Sequence, residues 1–216
     1  MNDTARRLAK LLFDQPLIQN QLRSAFVEAM IEPHLAHSGW RYCGGNWSGW
    51  DFQHELDTRL ELKQSAAWQT WDPIKLKKAR EADPELQPNP GPGIFDIRLR
   101  TGWFDEAGAV WTKLPEPGRP AHVYVFAWNE QYGDAADHRD PNQWQFFIIP
   151  TTDLPAREKT LRLSKLRYLK GIVGPFSGPE RLASELAPYA KRLAPDNRAE
   201  LPPPVAQQLT LGVFAT

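Results

Sequence analysis

Apolar and polar residues alternate in two short segments of the chain, residues 50–54 and residues 59–63. A period of two is typical of a β-strand whose two faces meet different surroundings. The residues between the two segments include Asp57, and aspartate is a common turn former. The pattern therefore predicts a β-hairpin whose turn lies near Asp57.

Three further strands and four helices are predicted along the chain. The strands are expected over residues 94–99, 122–128 and 143–149, and the helices over residues 4–12, 17–32, 164–170 and 179 to about 193. The strand over 122–128 is almost wholly apolar, as expected for a central strand that is buried on both faces. Pro33 indicates an end or a kink of the second helix. The glycine-rich residues 39–49 are expected to form a loop or an irregular edge.

Two long linkers are expected between these elements, over residues 73–93 and 129–142. The first carries five prolines, and the second is polar and contains an Asp-Pro pair. The order of the elements predicts a single α/β or α+β domain over residues 1–192. An extended tail is expected over residues 193–216, which include three consecutive prolines.

The overall charge of the chain is balanced, with 26 basic and 26 acidic residues. An anionic partner would therefore have to bind a local patch rather than the field of the whole molecule. Cys43 is the single cysteine, which excludes disulfide scaffolds and zinc sites built on cysteines. The sequence shows neither a signal peptide nor an apolar run of membrane-spanning length, so a cytoplasmic location without membrane association is expected.

The predicted hairpin brings two carboxylates and one ammonium group together. Glu61 and Lys63 are two residues apart on one strand, so their side chains project from the same face, whereas Leu62 projects to the other. If the hairpin closes near Asp57, Asp51 returns to the side of that second strand. Carboxylates of this kind can hold Mg²⁺, which prefers oxygen ligands, and the lysine can orient or deprotonate an attacking water molecule. A Glu-x-Lys pattern is also typical of a solvated strand face, and it arises by chance about once in a chain of this length.

The surroundings of these residues resemble the PD-(D/E)xK nuclease superfamily. The similarity is greatest to a bacterial branch in which a strand, a turn and a second strand end in Glu-x-Lys-x-Ser-Ala, with a Gln-x-Trp after it. It extends over roughly residues 20 to 170 and rests on the order and spacing of the segments 50–52, 57–66, 69–71, 95–97, 123–126 and 143–146, which a leucine-spaced helix follows. One difference is Trp50, which stands where the name of the motif has a proline.

The resemblance implies an α/β fold with a restriction-endonuclease-like core, a central mixed five-stranded sheet flanked by helices. It also implies a nuclease that depends on Mg²⁺ or Mn²⁺ and hydrolyses phosphodiester bonds in DNA. Asp51 and Glu61 would be metal ligands and Lys63 the catalytic lysine. The Leu62 carbonyl and Glu28, on the second helix, would be further ligands, although Glu28 also fits a solvated helix position. The residues expected at the catalytic centre are Asp51, Glu61, Lys63 and Ser65.

Two other functions stay open at this point. The same fold could serve as a non-cleaving nucleic-acid-binding module, or the substrate could be RNA rather than DNA. A double-strand cut by a chain with one site would require a homodimer. Two basic runs could contact phosphates or form solvated helix faces: residues 75–80 and residues 157–170.

Overall fold

The structure is a computed structural model, and it describes residues 2–45, 48–105 and 107–190. Its helices are α1 (Asp3–Phe13), α2 (Asn20–Ala36), α3 (Asp72–Ala79), α4 (Leu163–Leu166) and α5 (Leu182–Leu186). Its strands are β1 (Trp40–Tyr42), β2 (Phe52–His54), β3 (Arg59–Ala66), β4 (Ile94–Asp96), β5 (Arg100–Phe104), β6 (Trp111–Gly118), β7 (Val123–Asn129), β8 (Trp144–Pro150), β9 (Thr160–Arg162) and β10 (Val173–Ser177). The tail expected over residues 193–216 lies outside the described residues.

A mixed six-stranded sheet forms the centre of the α/β fold, in the order β1-β2-β3-β7-β8-β10. Strands β3 and β7 are parallel, and every other neighbouring pair in this sheet is antiparallel. The predicted hairpin is present, since β2 pairs with β3 and Asp57 occupies a left-handed conformation with φ of 72°. Strand β7 is buried along its whole length, as its apolar sequence predicted.

Each face of the sheet has its own hydrophobic core. On one face, Val123 and Val125 pack with Leu60, Leu62 and residues of α2 and α5. The opposite face carries Phe126 and Trp128, which pack beneath β4, β9 and α4. Burial on both faces holds β3 and β7 rigidly, so side chains on β3 have a fixed platform.

The prediction of a five-stranded sheet was wrong in the number of strands, which is six, and partly wrong in which strands belong to the sheet. Four of the five predicted strands lie in the central sheet, but the one expected over residues 94–99 does not. Its residues 94–96 form β4, which pairs with β9 in a separate two-stranded sheet. There Phe95 is buried while Ile94 and Asp96 are exposed, as in a strand that packs through one face only. The central sheet also includes β1 and β10, which were not predicted, and β5 and β6 form a further unpredicted pair.

The helices also depart from their predicted bounds. Helix α2 continues through Pro33 to Ala36, so the proline does not end it. Helix α3 lies in a segment that was expected to be a linker, and it begins with Asp72 followed by Pro73, a favoured start. The helix predicted from residue 164 covers only Leu163–Leu166, and the last one is divided into a 3₁₀ turn, Leu182–Leu186 and a second 3₁₀ turn, with residues 191–193 outside the described part. No helix in the described ranges is long and apolar enough to cross a bilayer.

Candidate active site

Asp51 lies at the point where β2 separates from β3. The two strands pair at Phe52–Leu60 and Gln53–Arg59, and β2 begins only at Phe52. The Asp51 N–H donates to the Leu60 carbonyl at 2.9 Å, and the Asp51 Oδ2 accepts a hydrogen bond from the Leu62 N–H at 2.6 Å. The aspartate side chain therefore takes the place of a neighbouring strand on β3, which fixes its carboxylate beside Leu62.

Glu61 lies two residues from Lys63 on β3, and its carboxylate is almost completely buried, with 2% exposure. Its Oε1 accepts hydrogen bonds from Lys63 Nζ at 2.5 Å and from Arg100 Nη2 at 2.6 Å. Its Oε2 is also buried, yet it has no hydrogen-bond partner among the described residues. A buried carboxylate oxygen without a partner is costly, so this atom marks a position where a ligand would stabilise the protein.

Arg100, at the start of β5, is a part of this site that sequence reasoning did not identify. Besides Glu61, it donates from Nη1 to the Ser48 carbonyl at 2.8 Å. Burial alone would lower the pKa of the Arg100 guanidinium, but the Glu61 carboxylate offsets this and the pKa is raised. Arg100 is 39 residues from Glu61, and no local pattern links the two positions.

Like charges surround Asp51. Burial raises the pKa of its carboxyl well above the usual value, and the carboxylates of Glu61 and Glu28 raise it further. The Lys63 ammonium and the Leu62 N–H act in the opposite direction without cancelling the rise in pKa. An environment that disfavours the ionised form of a carboxylate is one that a bound cation would relieve.

Glu28 lies on α2, near enough to Asp51 to influence its pKa. Both of its oxygens are used, since Oε1 accepts from Ser24 Oγ and Oε2 from the Tyr42 hydroxyl, each at 2.9 Å. Burial and the Glu28 carboxylate raise the pKa of Tyr42 above its ordinary value. Glu28 is therefore a buried helix residue at the margin of the site rather than the solvated one that was considered.

The residues around the Glu-x-Lys motif divide between the two faces of β3. Gln64 faces α2, where its Oε1 accepts from Arg23 Nε at 2.5 Å, in agreement with the predicted alternation. The Ser65 hydroxyl accepts from the Ile94 N–H at 3.2 Å, so it holds the start of β4 against β3. A catalytic role for Ser65 stays a prediction, because this contact serves the fold.

The donor set suits a hard divalent cation, although it is small. The described part of the chain contains no cluster of three or more His, Cys, Asp and Glu side chains placed to hold a metal ion. Asp51 and Glu61 supply two carboxylates, one with the partnerless Oε2, and the Leu62 carbonyl lies on the same strand edge as the N–H that Asp51 binds. Two carboxylates with water and substrate oxygens are the usual environment of Mg²⁺, so the residues present fit such an ion.

A cleft of about 550 Å³ adjoins the site. It lies between the first turn of α2, the edge of β3 that β2 does not cover, the start of α3 and the loop before β4. Lys63, Arg23, Trp71 and Lys75 are among the residues that line it. A ligand in this cleft would meet the Lys63 side of the site directly.

Comparison of the chain with family models, with curated proteins and with solved structures gave no match.

Proposed function

We propose that this protein is a nuclease that depends on Mg²⁺ or Mn²⁺ and hydrolyses phosphodiester bonds in DNA, on a restriction-endonuclease-like core. One observation carries the proposal: the buried Glu61 Oε2 has no described partner, beside Asp51 and Lys63 at the uncovered edge of β3. A solvated strand face would leave these groups in water and would not bury Glu61. The resemblance to the PD-(D/E)xK superfamily supports the same assignment.

Asp51, Glu61 and the Leu62 carbonyl would hold the metal ion, with Glu28 next to them. When bound, such an ion supplies Lewis-acid stabilisation of the phosphate and lowers the pKa of a bound water molecule. The Leu62 N–H fixes the Asp51 carboxylate, so the chain orients its ligands before any ion arrives.

Lys63 is the group that acts on the substrate. Its ammonium is 2.5 Å from Glu61 Oε1 and it also lines the cleft, so it lies between the carboxylates and the space for a DNA strand. From this position it would orient the attacking water molecule and stabilise the negative charge that develops on the phosphate. Arg100 donates to the same Glu61 Oε1 and thereby places a second positive charge beside this buried carboxylate.

Nicking of supercoiled plasmid DNA tests this function. We expect the purified protein to produce open-circular DNA with Mg²⁺ or Mn²⁺ and none with EDTA. Lys63→Ala should lower the rate by roughly a hundred-fold or more, the scale of a lost electrostatic or general-base contribution. The matched control is Lys77→Ala, which removes an exposed lysine of α3 and should leave the rate unchanged.

Two results would contradict the proposal. One is the absence of cleavage of plasmid and of single-stranded DNA with either metal ion, and the other is an unimpaired Lys63→Ala variant. If the wild type cuts both strands, we expect a homodimer on DNA, because residues 2–45, 48–105 and 107–190 of each chain hold one such site.

A further inference from the structure

We infer that the cleft beside Lys63 binds an unpaired nucleotide strand, with one base stacked on Trp71 and its backbone near Lys75, so that DNA with single-stranded character is the preferred substrate. This inference rests on the proposed function for the nature of its ligand. It goes further by naming the form of DNA and the residues that select it.

Trp71 immediately precedes α3 and lines the cleft, yet 44% of its surface is exposed. The Lys75 Nζ lies over the indole ring, 5.7 Å from its centroid. An exposed tryptophan that borders a polar cleft with an ammonium group above it offers both a stacking surface and a cation. Proteins that bind single strands combine these two features, since aromatic rings hold bases and cations follow the backbone.

Arg23 supplies a second positive charge to the cleft wall. Its side chain is buried, with 1% exposure, and its guanidinium donates to three amide oxygens, those of Gln64, Gln69 and Asn20. No carboxylate pairs with it in the described part of the chain. Burial lowers the pKa of Arg23 to about 10, so the group stays charged at neutral pH. Neutral amides hold this charge in place without cancelling it, and its field extends into the cleft.

The acidic residues of the cleft are already engaged. The Asp72 carboxylate accepts a hydrogen bond from the Gln69 N–H at 2.8 Å, and Asp96 pairs with Arg98 at 3.4 Å. Asp72 keeps its negative charge, because its partner is a neutral amide, whereas the charge of Asp96 is balanced by Arg98. Arg23 and Lys75 together outweigh the single charge of Asp72, so the cleft lining beyond the metal site is net positive. An anionic phosphodiester backbone fits this balance better than a neutral ligand does.

Stacking on Trp71 would distinguish an unpaired strand from a duplex, because it requires a base with a free face. Inside a duplex, away from its ends, each base is covered on both faces by its neighbours, so no base face is available for the indole ring. An unpaired or flipped base exposes a face, and its unstacking costs least where the DNA is already single-stranded. The stacking contact would then stabilise only substrates with an unpaired nucleotide next to the scissile phosphate.

The test measures binding of fluorescent DNA by anisotropy, in a Lys63→Ala background that prevents turnover. The two probes are a short single-stranded oligonucleotide and a blunt duplex of the same sequence. We expect tighter binding of the single strand, a loss of roughly ten-fold for this probe with Trp71→Ala, and a loss of about three-fold or less with Trp71→Phe, which keeps an aromatic ring. Trp111→Ala is the matched control, because Trp111 is 47% exposed on β6 and does not line the cleft.

The outcomes separate this inference from the proposed function. Equal binding of the two probes, or unchanged single-strand binding by Trp71→Ala, would overturn the inference even if the wild type cleaves plasmid DNA. A wild type that cleaves nothing but prefers the single strand through Trp71 would uphold the inference and overturn the proposed nuclease activity. A thermal melt of each variant verifies that it is folded.

Discussion

The Asp51 carboxylate accepts a hydrogen bond of 2.6 Å from the backbone N–H of Leu62, eleven residues further along the chain. This contact satisfies a backbone N–H of β3 that β2 does not reach, and it also holds the Asp51 carboxyl group near the carboxylate of Glu61. One side chain therefore completes the sheet and builds the candidate metal site. The two roles respond differently to substitution, which makes them separable by experiment.

Asp51→Asn should stabilise the metal-free protein. The substitution keeps an oxygen that can accept from Leu62 N–H, but it removes a charge that Glu61 and Glu28 disfavour. Repulsion of unit charges about 4 Å apart is near 4 kcal/mol at an effective dielectric constant of 20, and screening by Lys63 and solvent should leave about 1 kcal/mol. We expect a melting temperature about 2–4 °C higher in EDTA. Added Mn²⁺ should stabilise the wild type and have much less effect on the variant.

Asp51→Ala is the control for that measurement. It removes the same charge and also the acceptor of the Leu62 N–H, which costs about 1–3 kcal/mol when a buried donor is left without a partner. A lower melting temperature for Asp51→Asn in EDTA, with an unchanged response to Mn²⁺, would mean that Asp51 is purely structural.

Lys63→Ala should separate metal binding from chemistry. An ammonium group is not a metal ligand, and its removal makes the electrostatic potential around Glu61 more negative. Mn²⁺ should therefore bind as tightly as in the wild type or more tightly. Cleavage should nevertheless be lost, whereas Asp51→Asn should weaken binding by about ten-fold or more, or at least 1.4 kcal/mol. Isothermal titration calorimetry with Mn²⁺ on both variants decides this, and an equal loss of binding in the two would refute the assigned roles.

Arg100→Met should destabilise the protein mainly in the absence of metal. Among the described residues, the buried Glu61 carboxylate would then keep Lys63 as its only cationic partner, and loss of one charged partner of a buried group costs several kcal/mol at most. A bound metal ion would replace the missing charge, so Mn²⁺ should restore part of the stability. The measurement is a pair of thermal melts, with EDTA and with Mn²⁺.

Arg98→Met is the matched control for Arg100. Arg98 is exposed and its ion pair with Asp96 spans 3.4 Å, so its loss should change the melting temperature little under either condition. If Arg100→Met lowers stability equally with and without Mn²⁺, Arg100 supports the fold and has no link to the metal site.

Unfolding should become easier at acidic pH because of His138. This side chain is fully buried, its Nδ1 accepts from the Ile18 N–H at 2.9 Å, and its Nε2 lies 3.0 Å from the Trp68 carbonyl. The acceptor role of Nδ1 requires a neutral ring with the proton on Nε2. Burial, with the charge of Arg23 as a smaller cause, lowers the pKa of His138 from 6.5 to about 4.

Because this folded-state pKa is below that of the unfolded chain, the unfolded state binds more protons between the two values. The free energy of unfolding should therefore fall as the pH drops from about 6.5 to about 4, by roughly 3 kcal/mol in total for this group. Urea titrations at pH 7 and pH 5 measure the effect. His138→Gln should show a smaller difference between the two pH values, and an identical difference would exclude His138 as its source.

The hairpin and the pairing of Asp51 with the Glu61–Lys63 segment could be predicted because they depend on local pattern. Alternation of period two and an aspartate turn determine which residues share a face, and both are visible within fifteen residues of sequence. The membership of β4 could not be predicted in this way. Its alternating pattern shows that it is a strand, but the pattern carries no information on which strand it pairs with.

Other parts escaped prediction for separate reasons. Strand β10 contains Gly174 and Pro175, which are typical of turns, and its pairing with β8 is irregular at that point. Helix α3 was overlooked because Pro73 was interpreted as a linker residue rather than as the start of a helix. Arg100 reaches Glu61 only through the tertiary fold, so the ion pair that balances the site has no signature in the sequence.

The uncovered edge of β3 has a consequence for solubility. Beyond Leu60, within the described part of the chain, this strand is paired by β7 alone, and an open strand edge is a template on which a second chain can add. Two side chains occupy that edge, Asp51 at the Leu62 N–H and Gln69, whose Nε2 donates to the Ala66 carbonyl at 2.8 Å. The aspartate and the glutamine thus occupy backbone groups with which an added strand would have to pair, and this disfavours self-association through β-strand addition at this edge.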